Sequence, residues 1–356
     1  MQCGNLQPFA YSRTRDAPIR MEQGLPFNYF EFFRSLLILA IIAGAANYVS
    51  LLALRRFGRQ DVPDARRLHG VATPRGGAIG IAVLTFALFC YVRVFFGFVL
   101  HDLAVVCAFA ALGALDDFKP LSALFRLVAQ LVIALVAVSI FLPNAPILLQ
   151  AVACLSCVAL VNMANFMDGS NGLLAMLFVI FAGTVQAIGL VSGPAVIVVG
   201  LLFIGFIPFN FPKARMFMGD VGSYLIGAVL AVALFEVLAS WRTTSNVFPL
   251  LKLVLLLLPI TLDATLTISW RALKRKPIWR AHREHMYQWL RRTGWSAQAI
   301  VLLYGAQAFT VALIAAFLDA ATLHWLLPTI VIVASGLWFF AKSAICKQRR
   351  SSVRRA

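Results

Sequence analysis

Residues 210–227 read NFPKARMFMGDVGSYLIG and lie between two apolar runs, each long enough to cross a bilayer. The stretch holds a carboxylate, Asp220, a basic pair, Lys213 and Arg215, and three glycines, Gly219, Gly222 and Gly227. A charged side chain near a bilayer centre costs roughly 2.5–3.5 kcal/mol or more, so polar groups at membrane depth mark a site. Taken alone, the stretch reads equally well as a short connection with a helix-capping Asp. Further polar islands at the same membrane face weigh against that reading.

The 356-residue chain is 61% hydrophobic and 13% charged, with a mean hydropathy of +0.87. A water-soluble domain carries about 25% charged residues. The sequence therefore predicts an all-α, polytopic integral membrane protein. A span needs about 20 apolar residues. Eleven candidate runs occur, at 30–54, 77–99, 101–115, 121–142, 145–163, 173–191, 193–211, 221–240, 249–271, 297–318 and 322–345. The run at 101–115 is short. No soluble domain or internal repeat stands out, so residues 29–345 read as one transmembrane domain. Residues 1–28 form a polar tail without the apolar core of a cleavable signal peptide, and Met21 is an alternative start. Residues 346–356 form a basic tail. The six cysteines fall mostly in apolar runs, where they act as small hydrophobes.

The formal net charge is +17, and its placement says more than its size. Of the 31 Lys and Arg residues, 24 fall within 55–76, 116–126, 213–215, 271–292 and the tail from 342. Cytoplasmic loops carry such an excess. With residue 55 inside, the N-terminus is periplasmic and the C-terminus cytoplasmic, as eleven crossings require. These charges flank the membrane, so the bilayer and an anionic substrate are the expected partners rather than nucleic acid.

Four more polar islands share that face. The first, DVPDARRLHGVATPRGG at 61–77, contains His69 and ends in glycines that let backbone N–H groups approach an anion. The second, LGALDDF at 112–118, carries Asp116 and Asp117, followed by Lys119 and Arg126. Adjacent helical positions diverge by about 100°, so one carboxylate faces a metal or substrate and the other a neighbouring base, unless the pair caps the fourth helix. The third, NMANFMDGSNGL at 162–173, places Asn162, Asn165 and Asp168 along one helix line, with Asn171 beyond. Such oxygen donors suit Mg²⁺ beside substrate phosphates, with Mn²⁺ as a substitute. The fourth spans 271–292, where His282, Arg283 and His285 stand in a basic field without the partners of a zinc site. Asp263, about two turns before Arg271, is either functional or part of a structural pair. Together these groups form an inventory for phosphoryl transfer between an anionic substrate and a lipid acceptor.

In that order, DVPDARRLHGVATPRGG, LGALDDF, NMANFMDGSNGL, FNFPKARMFMGDVGS and AHREHMYQWL resemble the motifs of the polyprenyl-phosphate N-acetylhexosamine-1-phosphate transferases. The resemblance covers residues 61–290. The AHREHMYQ form is similar to the branch that starts O-antigen and related surface glycans. The resemblance implies transfer of a sugar phosphate from a UDP-N-acetylhexosamine to undecaprenyl phosphate at the cytoplasmic face of a bacterial inner membrane, with release of UMP. It implies Asp220 and Asn165 at Mg²⁺, and Asp116 and Asp117 at the lipid phosphate and metal, one of them deprotonating the acceptor. His282, Arg283 and His285 would grip the diphosphate. Phe217 would stack on uracil, with Asn210, Asp168 and Asn171 lining the nucleotide pocket. Lys119, Arg126, Asp263 and His69 would support the lipid phosphate or the residues around it.

Two positions depart from the family pattern. Asn171 replaces the second Asp of a DGxDG element, which removes a charge, and Ala78 replaces a Gly after PRGG. A secondary transporter is the competing class, because broken helices with Asn and Asp at membrane depth are its signature too. Transporter sites sit near the midplane between paired repeats, whereas these islands share one face. The sequence leaves the hexosamine open, and a homodimer is compatible with it.

Overall fold

The computed structural model describes residues 29–57, 60–61, 73–96, 101–193, 195–277 and 282–355; the tail 1–28 and His69 lie outside the described residues. In chain order the elements are α1 (Tyr29–Phe57), β1 (Gln60–Asp61), β2 (Thr73–Pro74), α2 (Ile79–Phe96), α3 (His101–Phe118), α4 (Ala123–Phe141), α5 (Ile147–Met167), α6 (Leu173–Ala187), α7 (Ala195–Ile204), α8 (Ile207–Asn210), α9 (Gly219–Thr244), α10 (Phe248–Leu273), α11 (Met286–Arg292), α12 (Ala297–Phe317) and α13 (Ala320–Arg355). Helix dominates because a bilayer offers no water to backbone groups, which a helix satisfies within its own segment. Among the described residues seven helices, α1, α4, α5, α9, α10, α12 and α13, are long and apolar enough to cross a membrane. Hydroxyls set two of the starts: Ser122 accepts from Phe125 N at 3.2 Å to open α4, and Ser296 accepts from Ala299 N at 3.0 Å to open α12.

Every apolar run contains helix, but the run at 193–211 is not one continuous helix. It breaks into α7 and α8 around Gly205 and Phe206. A Cβ on Gly205 would meet Ala40 O at 2.7 Å, so this break is where the chain presses against α1. Helix α13 continues through the basic residues of the tail to Arg355. A two-residue antiparallel pair, β1–β2, accompanies the otherwise helical fold.

Helix α9 is the axis of the bundle. Within its most apolar window 89% of the residues are buried inside the protein, against 22% for α4 and 17% for α13. The outer helices therefore turn their apolar surface to lipid while α9 faces other helices. Lipid is as apolar as leucine, so such helices associate by close packing rather than by escape from water. Helix α3 packs antiparallel to α9 at very short range: a Cβ on Gly113 would fall 2.3 Å from Asp220 O and 2.8 Å from Val221 Cα. Helix α5 also runs antiparallel to α9, with Asn165 beside Asp220 at one end. The C-terminal ends of α3 and α5 thus meet the N-terminal end of α9.

Candidate active site

At that meeting point the entry loop of α2 closes over the start of α9. Phe217 N donates to Pro74 O at 2.8 Å, Gly77 N to Phe217 O at 2.8 Å, and Ala78 N to Met218 O at 3.1 Å. Gly219 takes φ +80, and a Cβ there would meet Asp117 Oδ2 at 2.4 Å and Gly76 Cα at 2.7 Å. Only glycine satisfies both demands. This pairing carries Arg75 to the centre. Its Nε lies 2.8 Å from Asp117 Oδ1 and its Nη2 lies 2.8 Å from Asp220 Oδ2, so one guanidinium bridges carboxylates from α3 and α9.

The adjacent aspartates of α3 diverge as their helical positions require. Asp117 turns to Arg75 and accepts from Val221 N at 3.0 Å, at the start of α9. Asp116 turns to Arg126, at 2.7 Å, and accepts from Leu121 N at 2.7 Å. Asp116 and Asp220 also stand within hydrogen-bonding reach of each other. Asn165 donates through Nδ2 to Asp220 Oδ1 at 2.7 Å and to Ser223 Oγ at 3.0 Å. Asn162, one turn earlier, points instead to Gln130 Oε1 at 2.7 Å.

Asp168 caps the end of α5 and completes the acidic group, interacting with Asp220, Asp117 and Arg75 through charge. Part of its surface is exposed, yet burial first and Asp220 next push its carboxyl well above the usual carboxylate range, against the pull of Arg75. Four carboxyl groups thus face two guanidiniums, a local shortage of positive charge. Among the described residues no three His, Cys, Asp or Glu side chains already converge as ligands of one ion. The donors are nonetheless hard oxygens with a deficit of positive charge, which is the chemistry that suits Mg²⁺. The residues fit such an ion.

The nucleotide-side candidates sit on the neighbouring loop. Asn210 is 3% exposed and uses both ends of its amide on backbone, accepting from Gly172 N at 2.6 Å and donating to Met216 O at 2.9 Å. Asn171 donates to Pro212 O at 3.3 Å. These bonds tie the DGSNG turn to the FMGD loop and leave Phe217 half-buried between them and the α2 entry. Lys119 is exposed at the end of α3.

The histidine loop docks on the same end of α5. Tyr287 donates to Phe166 O at 2.8 Å, and the Phe166 ring stacks on His285 at 5.6 Å between centroids. His282 and His285 lie 5.0 Å apart, centroid to centroid, and Arg283 between them is half-buried. Burial and then His285 push the His282 imidazole down to about 4, and burial also lowers His285. Both rings are therefore neutral near pH 7, able to donate a hydrogen bond without adding charge. Asp263, in α10, accepts from Met286, Tyr304, Trp338 and Thr267 among the described residues.

Asp116, Asp117, Asp168, Asp220, Asn165 and Arg126 are thus brought together, the histidines flank them through α5, and Asp263 stands apart as an internal bond centre. Sequence reasoning missed Arg75 as a site residue, although its place between Pro74 and two glycines ahead of a helix was the available signal. It also missed Tyr287 and Glu284, which hold the histidine loop.

Comparison with known proteins places the chain among related sequences. Residues 98–237 match the model of glycosyl transferase family 4. The chain is 28% identical over 329 residues to a probable undecaprenyl-phosphate N-acetylglucosaminyl 1-phosphate transferase of Bacillus subtilis, covering 85% of this chain and 87% of that one. It is 31% identical over 306 residues to a decaprenyl-phosphate N-acetylglucosaminephosphotransferase of Mycolicibacterium smegmatis, covering 73% and 75%. It is 32% identical over 207 residues to an undecaprenyl-phosphate alpha-N-acetylglucosaminyl 1-phosphate transferase of Thermotoga maritima, covering 54% and 63%.

Proposed function

The chain belongs to glycosyl transferase family 4, and from that premise we propose that it transfers N-acetylglucosamine 1-phosphate from UDP-N-acetylglucosamine to undecaprenyl phosphate, starting a lipid-linked glycan. An oxygen of the lipid phosphate attacks the β-phosphorus of the donor. The bond from that phosphorus to the bridging oxygen breaks, and UMP leaves with the oxygen. The observation that supports this most is the junction of α3, α5 and α9, where four carboxyls and two guanidiniums meet beside neutral imidazoles.

Roles follow from position. Arg126 pairs with Asp116 beside Leu124 and Phe125, which are 72% and 55% exposed on a helix that faces lipid. This is the side from which a lipid phosphate arrives, so Arg126 receives it and Asp116 or Asp117 takes its proton. Asp220, with Asn165 orienting it, would hold Mg²⁺ together with Asp117. Such an ion neutralises phosphate charge and polarises the phosphoryl oxygens when bound. Phe217 offers its half-buried ring to uracil, while Asp168, Asn171 and Asn210 shape the turn around it. His282, Arg283 and His285 donate to the diphosphate, where two negative groups must be brought together. Lys119 adds charge at the lipid entrance. The topology is eleven crossings of a bacterial cytoplasmic membrane with the site facing the cytoplasm, supported by the gathering of basic loops at the end of the bundle that holds the carboxylates.

Mass spectrometry of the lipid after incubation with UDP-N-acetylglucosamine tests the reaction. The expected product is undecaprenyl phosphate heavier by one N-acetylhexosamine phosphate. Unmodified lipid from folded protein, under conditions in which a control enzyme modifies the same lipid, would overturn the proposal.

A further inference from the structure

A carboxylate 5% exposed within an apolar helix is expensive unless its oxygens are fully bonded. Asp263 meets that condition with donors from four segments. Thr267 Oγ1 in its own helix lies at 3.2 Å, Tyr304 Oη of α12 at 3.0 Å, Trp338 Nε1 of α13 at 3.0 Å, and the backbone N of Met286 at 2.9 and 3.0 Å from its two oxygens. The last of these is the first residue after His285. The rest of the loop is gripped in the same manner. Glu284 Oε1 pairs with Arg271 at 3.0 Å and Lys276 at 2.9 Å, its carbonyl accepts from the buried Lys342, and Arg271 also donates to Pro277 O at 2.7 Å. Glu284 between the histidines and Met286 after them are thus bonded, yet the buried Nδ1 atoms of His282 and His285 have no hydrogen-bond partner among the described residues.

We infer that Asp263 is a positioning residue for the donor diphosphate: it latches the backbone at Met286 to α10, α12 and α13 and so aims His282 and His285 at the ligand. The inference rests on the reading of UDP-N-acetylglucosamine as donor. Asp263 contacts no substrate itself. An anion is needed because two acceptor oxygens serve donors arriving from both sides. Asparagine offers one oxygen and a second donor, which Tyr304 can meet by turning its hydroxyl, so Asp263→Asn keeps part of the latch. Asp263→Ala keeps none and leaves the Met286 N–H and the Trp338 N–H buried and unbonded.

The test compares the full-length protein in detergent with Asp263→Ala and Asp263→Asn by three readouts. These are hydrogen exchange at residues 282–288, binding of UDP, and KM for each substrate. Asp263→Ala should speed exchange at Met286, weaken UDP about tenfold and raise the donor KM to match, with the KM for undecaprenyl phosphate within about twofold of wild type. Asp263→Asn should fall between. Wild-type exchange and UDP affinity in Asp263→Ala would overturn the inference, as would an equal loss for both substrates. If the alanine variant does not fold, Trp338→Phe removes a single donor while keeping an aromatic ring at that position. It should speed exchange at Met286 and weaken UDP about twofold, and no change in either would overturn the latch. Hydrogen exchange needs no turnover, so an inactive wild-type enzyme would sink the donor reading while the latch was still decided.

Discussion

Arg75 shows what a single side chain contributes when two helices bring their carboxylates to it. It bridges Asp117 and Asp220 at 2.8 Å each, and its removal leaves two partly desolvated anions facing one another. Arg75→Gln should lower kcat/KM about 100-fold or more, roughly 2.7 kcal/mol, in steady-state UMP release. Phe217→Ala should raise the donor KM about tenfold with a smaller change in kcat, because stacking on a base is worth about 1–3 kcal/mol. His282 carries a pH prediction. Its folded value, about 4, lies below the ordinary value for a histidine, so between pH 6.5 and 4 the unfolded chain takes up a proton that the folded loop refuses. Stability is complete above that window and lost on acidification through it. The thermal midpoint should drop between pH 7.5 and 5, and drop less in His282→Gln. The carboxylates were legible in the sequence because charge in an apolar run is costly and therefore conspicuous. Arg75 was not singled out, since its partners Asp117 and Asp220 are brought to it only by folding, and its place between Pro74 and two glycines was the one hint.

At the scale of elements, the apolar runs declared their helices, and a bilayer allows little else. The split of 193–211 into α7 and α8 left no mark in hydropathy, because it reflects the fit of Gly205 against α1. The bonds of Asp263 were equally hidden, coming from residues as far along the chain as Trp338. The glycines of α3 and α9 were visible, but the contact they permit was not. Gly113 lets the ends of α3 and α9 approach until the Asp117 carboxylate accepts from Val221 N. Gly113→Val should push them apart at a cost of about 1–3 kcal/mol, typical of overpacking. A thermal midpoint lowered by several degrees, with activity lost even in the folded fraction, is the expected outcome in a detergent melting assay.

For the whole molecule, the decisive feature is that one end of a lipid-facing bundle collects the charges. Basic loops, carboxylates and imidazoles meet there around the N-terminal end of α9, whose body is buried by the other helices. The enzyme thus keeps its acceptor in the bilayer and its donor in water, with chemistry at the boundary. Phosphoryl transfer at such a boundary needs positioning and charge neutralisation more than covalent help. The most direct test is UMP release by purified protein supplied with undecaprenyl phosphate, Mg²⁺ and a panel of UDP-N-acetylhexosamines, with Asp220→Asn in parallel. The expected result is UMP from UDP-N-acetylglucosamine only when the lipid is present, abolished by a chelator, restored by Mg²⁺ or Mn²⁺, and lost in the variant. UMP formed without the lipid, or none from folded wild-type protein, would contradict it.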